Sequence, residues 1–277
     1  MYRPRLTVER YADEVAGQSR LLGEHLVGAD LTTPVPSCPG WNLAQLTQHV
    51  DEGFRWVEAL VRTRADGPGD DTAMRVLDPA PATTSAERAD RIVAAGATLA
   101  ATLRAAGADT AMWTPLSPGR SGFFARRFAH EALVHRADAA LALGVPVDVA
   151  DDLALDGLAE WMELGGLPQM LDVHPERRRL LGAGRTIRVA ATDTDDADGA
   201  WLVDLSGPTM VHRRGEDTAD DTADDTAEDT AAAATLRAPL ATLLLVLYAR
   251  RPLEAEGVVV DGDADLVRTW WEHSGFG

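Results

Sequence analysis

Apolar residues return every third and fourth position in four long segments, residues 7–27, 42–63, 85–106 and 121–143. That period places them on one face of a helix. The stretches between them hold the residues that stop helices: TTPVPSCPG at 32–40, ADGPGDDT at 65–72 and DTAMWTPLSPGRSG at 109–122. Helices with one apolar face must bury it against each other, so this half of the chain predicts a four-helix bundle. A fifth helical stretch, about 151–164, leads into LPQM and the basic HPERRR, and there the period changes.

Beyond that point RTIRVAAT (185–192), GAWLVDLS (199–206) and PTMVHR (208–213) alternate or cluster apolar residues as short strands do. A helix over about 233–250, the strand GVVVDG and a closing helix at 263–273 complete a small α+β unit. The expected architecture is α+β and mainly α. A bundle occupies residues 1–165 and a small α+β domain residues 166–277. Inside the second domain lies a repeating acidic tetrad, EDTADDTADDTAEDT, at 216–230. It reads as a solvated surface loop. It lacks the glycine and fixed ligand spacing of an EF-hand calcium loop.

Composition narrows the function. With 45% apolar and 25% charged residues the chain is an ordinary globular sequence. The net charge of -18 leaves no basic excess for nucleic acid or an anionic membrane. Lysine is absent, which removes Schiff-base and P-loop lysine chemistry, and one cysteine excludes an internal disulfide or a CxxC site. The start MYRPRLTVER has no apolar core of a signal peptide, and the apolar run at 239–249 is too short to span a bilayer. A cytoplasmic enzyme or binding protein is expected.

Two segments carry candidate chemistry. In SCPGWNLAQLTQHV (37–50), Asn42 and Gln45 have the spacing of a capping box, and Trp41 and Leu46 that of a hydrophobic staple. Cys38 lies in the loop before this helix, not in its first turn, and reads as structural or incidental. His49 points toward or beside the bundle interior. In FFARRFAHEALVHRADAAL (123–141) the spacing between His130 and His135 is one residue too long for HExxH. At about 100° per residue they lie some 140° apart and cannot share a metal from one helix. Glu131 and His135 are i and i+4 and can converge on one ion. With His49 they would supply two imidazoles and a carboxylate, the donor set of an open catalytic metal site. The spacing leaves other pairings open: Glu131 with Arg127, and His135 with Asp138. His25, His174, His212 and His273 have no convergent partner in the pattern and read as surface or core residues.

Taken together, Cys38-Pro39-Gly40-Trp41-Asn42 with His49, and Glu131, His135, Arg136 and Asp138 in the form E-x-x-x-H-R-x-D, resemble the motifs of the mycothiol-dependent maleylpyruvate isomerase family of DinB-like metal-binding bundles. The leucine-rich LLLVLYAR ending at Arg250 and the strand VVVDGD are similar to that family's second domain. The acidic tetrad is not part of the family pattern.

The resemblance implies a DinB-like four-helix bundle followed by a small α+β domain. It implies a divalent metal, zinc as a rule in the family, held by His49, Glu131 and His135, and mycothiol as the thiol cofactor. Arg250 would act in cofactor or substrate binding and in catalysis, although Arg251 adjoins it. The implied reaction is addition of a metal-activated thiolate to a small electrophile, rotation about the resulting single bond, and elimination to the trans product. The same first step also serves S-transfer or thiol conjugation. A non-catalytic metal-binding protein of the same fold is a further alternative. From the donor set alone, an Fe(II) oxygenase is another.

Overall fold

Three of the four long helices start where the sequence supplies a capping side chain. α1 (Val8–Leu26) is capped by Thr7, whose hydroxyl accepts from the Arg10 amide. α2 (Leu43–Thr63) opens on the Asn42–Gln45 capping box that the sequence predicts, with both reciprocal hydrogen bonds made. A one-turn helix, α3 (Thr72–Arg75), precedes α4 (Ser85–Ala106), which opens on a second box between Thr84 and Glu87. α5 (Ser121–Leu143) follows Arg120, and the Ser121 hydroxyl donates to the Gly107 carbonyl at the end of α4. α4 and α5 stop at Gly107 and Gly144, which take positive φ of 68° and 67°, where a side chain would be strained. This computed structural model describes residues 6–78, 83–194, 199–214 and 232–275, so the acidic repeat at 216–230 lies outside the described residues.

Two compact units make up the chain, one from Pro4 to Asp148 and one beginning at Val149. In the first, α1 packs against α4 and α5, and α2 packs against the same two helices. The ring is thus α1–α4–α2–α5, with α1 and α2 on a diagonal. Its core includes Leu22, Leu26, Leu46, Val57, Ile92, Leu99 and Phe124. Burial of each contributes about 1.5–3 kcal/mol. α1 and α4 approach closely because small residues face each other. A Cβ on Gly96 would overlap Ser19 Oγ, and one on Gly23 would sit 2.8 Å from Val93 Cγ2.

The second unit starts with α6 (Asp151–Gly165), so this helix belongs with the sheet rather than with the bundle, where the pattern grouped it. Short helical turns follow, α7 (Met170–Val173) and a 3-10 turn (Pro175–Leu180). The strands are β1 (Thr186–Ala191), β2 (Ala200–Asp204), β3 (Val211–Arg214), β4 (Ala234–Ala238) and β5 (Val259–Gly262), in sheet order β3-β2-β1-β4-β5. β1 and β4 are parallel; the other pairs are antiparallel. α8 (Leu240–Leu247) packs on α6, and α9 (Ala264–Ser274) on β4. Trp161 of α6 and Trp270 of α9, both buried, meet edge to face with centroids 5.5 Å apart. His212 of β3 lies under the end of α6, where a Cβ on Gly166 would come within 2.6 Å of its Nδ1. Burial pushes this imidazole down to about 4.

One expected element divides. The helix expected over 233–250 is a strand, Ala234–Ala238, followed after Pro239 by α8. Proline has no amide hydrogen to donate, and it heads α8 at the N-cap. The preceding ATLRA alternates buried and open positions and pairs with β1 on one side and β5 on the other.

Candidate metal centre

His49 lies in the second turn of α2, and its depth follows from where the Asn42 cap starts that helix. Glu131 and His135 lie one turn apart on α5, which is buried along most of its length. Across the α2–α5 contact the three converge, with ligand atoms within 4.8 Å of one another. Glu131 Oε1 is 3.1 Å from His135 Nε2 and 3.6 Å from His49 Nε2. The two imidazole rings meet edge to face, 5.0 Å between centroids.

The other nitrogen of each ring is already engaged. His49 Nδ1 lies 3.1 Å from the Met74 carbonyl of α3, which can only accept, so Nδ1 carries the hydrogen. His135 Nδ1 is 2.8 Å from Asp138 Oδ2 and donates to that buried carboxylate. Each Nε2 is therefore the atom left to bind, and both point at one carboxylate oxygen. This is how histidine ligands are oriented in metal sites generally. The donor set fits a divalent ion such as zinc.

Electrostatics agree with the geometry. Burial works to raise the Glu131 carboxyl, but hydrogen bonds from His135 and His49 and the charges of His135 and Arg127 hold it well below the usual range. Burial works to lower His135, but hydrogen bonds to Asp138, Cys38 and Glu131, with the Glu131 charge, hold it well above 6.5. Arg127 Nη2 lies 3.3 Å from the outer oxygen of Glu131. Glu131 is also the most open of the three, 32% exposed against 19% for His49 and 9% for His135.

Residues 12–140 match the family model described as the mycothiol maleylpyruvate isomerase N-terminal domain. The N-terminal unit belongs to that domain family. The chain is also similar to the crystal structure of the mycothiol-dependent maleylpyruvate isomerase, with a TM-score of 0.56 and 12% sequence identity over 92% of this chain and 93% of that one. At that identity the likeness is one of fold, a DinB-like bundle with a following α+β part. No curated protein sequence matches the chain. Among the described residues no helix is long and apolar enough to cross a membrane.

Within the N-terminal unit, the alternatives left open by the spacing prove compatible. Glu131 faces Arg127 as well as the two histidines, and His135 bonds Asp138 as well as Glu131. His130 turns the other way, buried against Tyr11 of α1 with centroids 6.3 Å apart. Arg250 belongs to the second unit, just past α8, where its Nη1 donates to the Tyr248 carbonyl at 2.7 Å.

Two contributors escape sequence reasoning. The Met74 carbonyl leaves no side-chain signal. It is held near His49 because Gln48 of α2 bonds the Val76 carbonyl and the Asp78 amide. Cys38, which reads as incidental, has its Sγ 3.4 Å from Asp138 Oδ2. The CPGW segment before α2 was the available signal for it.

Proposed function

We propose that this chain is an enzyme that uses a divalent metal, zinc by its donor set, and mycothiol to act on a small electrophile, with maleylpyruvate isomerase-like cis-trans isomerisation as the reaction. The observation that carries the reading is the convergence of His49 Nε2, His135 Nε2 and Glu131 Oε1 in a unit of this domain family.

His49, Glu131 and His135 would hold the ion. When bound, the ion and the thiol supply a thiolate at neutral pH, a nucleophile able to add reversibly to an electron-poor double bond. The remaining work falls to the chain. Met74 and Asp138 hold the Nδ1 hydrogens and so keep both Nε2 atoms directed at one point. Arg127 neutralises the outer oxygen of Glu131. The Trp41 ring, 5.2 Å from that of His49, shields one flank from water. Cys38 is engaged with Asp138 and is not proposed as the nucleophile, so the thiol must be brought in. Arg250 is proposed to bind an anionic group of cofactor or substrate and assist catalysis, on the resemblance of LLLVLYAR.

The test is liquid chromatography, which separates cis from trans acids, coupled to mass spectrometry of the zinc-loaded chain incubated with mycothiol and candidate cis-enoic acids. A substrate isomerised at unchanged mass, only with both metal and thiol present, is the expected result. A stable thiol adduct would move the reading to S-transfer. No change with any electrophile would leave a metal-binding protein.

A further inference from the structure

The loop between α1 and α2 is tied to the metal-centre residues more tightly than a linker requires. It is stiffened from within: the Val35 amide bonds the Trp41 carbonyl at 2.9 Å, the Cys38 amide the Val35 carbonyl at 3.0 Å, and the Trp41 amide the Cys38 carbonyl at 3.0 Å. Gly40 permits this path with a φ of 84°. From that frame Ser37 Oγ donates to Asp138 Oδ1 at 2.6 Å and Cys38 Sγ approaches Oδ2 at 3.4 Å. Asp138 is fully buried on α5, and its Oδ2 also takes the His135 Nδ1 hydrogen at 2.8 Å. The same loop places the Trp41 ring against His49.

A buried carboxylate is costly to leave unsatisfied, and it accepts only in the directions its donors define. Ser37 and Cys38 come from about 100 residues upstream and fix both oxygens of Asp138 against rotation. The plane of that carboxylate then fixes the plane of the His135 ring.

We infer that Asp138, locked by Ser37 and Cys38, is the positioning residue that orients His135 for metal, so that the Ser37–Trp41 loop is a working part of the centre. The inference rests on the metal-centre reading and goes beyond it in assigning a task to Ser37, Cys38 and Asp138. The lone thiol then acts as a donor to a carboxylate, neither nucleophile nor ligand.

The test is Zn2+ affinity, by competition with a chromophoric chelator, for the unchanged full-length chain and two variants. Asp138→Asn should bind Zn2+ about 10–100-fold more weakly, the usual effect of losing such a partner. The pair Ser37→Ala with Cys38→Ala, which keeps the carboxylate and its bond to His135 but removes its two loop donors, should weaken binding by a smaller factor. In both, the His135 Nδ1 proton resonance of the zinc-loaded chain should move, which a loss of stability alone does not cause. A lowered melting temperature with unchanged Zn2+ affinity would give Asp138 a structural role only and overturn the inference. Should Asp138→Asn not fold, unchanged affinity in the double variant overturns it equally. If the unchanged chain takes up no Zn2+, the metal-centre reading itself fails, and this inference with it.

Discussion

Glu131 Oε1 stands 3.6 Å from His49 Nε2 and thereby joins α5 to α2 at a polar point beside the bundle core. Two apolar side chains there would satisfy packing. A carboxylate aimed at an imidazole instead makes a position that favours positive charge.

Removing any one donor should empty the centre. His49→Ala, Glu131→Gln and His135→Ala are each expected to lose most bound metal, from about one ion per chain to roughly a tenth or less, because an open site with three protein ligands has none to spare. Plasma emission analysis of metal after dialysis, with circular dichroism to follow the helices, checks this. Full metal content in any of the three would remove that residue from the site.

Metal binding should depend on pH in a defined direction. His135 is held well above 6.5 in the metal-free chain, so at neutral pH an incoming ion must displace its proton. Affinity should rise with pH, by up to about tenfold per unit, until that raised pKa is passed. Calorimetry in two buffers of different ionisation enthalpy should show close to one proton released. For the metal-free fold the signs differ by group. The contribution of His135 is fully present below 6.5 and lost as pH rises through its raised value. That of Glu131 is present above the ordinary carboxylate range and lost as pH falls through its depressed one.

Gly96→Ala should destabilise the bundle by about 1–3 kcal/mol, because the added methyl meets Ser19 where α1 and α4 touch. Urea unfolding measures it. Ser19→Gly in the same chain should recover part of the loss, and a purely additive double variant would show that the two positions do not share one space.

The second unit should lose stability on mild acidification. The folded pKa of His212 is about 4, below the ordinary 6.5, so between those values the unfolded chain binds the extra proton. Stability then falls as pH falls through that window, by at most about 1.4 kcal/mol per unit from this group. His212→Gln should flatten that part of the profile in urea titrations from pH 7.5 to 4.5, and an unchanged slope would assign it to other groups.

Much of this molecule is local and therefore legible. The Asn42 and Thr84 caps, the apolar faces of the four long helices and the i, i+4 pairing of Glu131 with His135 depend on residues within a turn or two of each other, and a sequence states them directly. His49 stood out as a candidate ligand only with the motif resemblance, because nothing within its own helix distinguishes a core histidine from a metal-binding one.

What tertiary structure decided was long-range. It allotted α6 to the sheet unit and split the apolar stretch at 233–250 at Pro239, since a short apolar run becomes strand or helix according to the neighbours that take up its backbone groups. It also set Met74 against His49, and Ser37 and Cys38 against Asp138. These contacts join residues about 25 and about 100 positions apart, and hydrogen bonds of that kind have no period along the chain. They exist only once helix packing has fixed which loop lies over which helix.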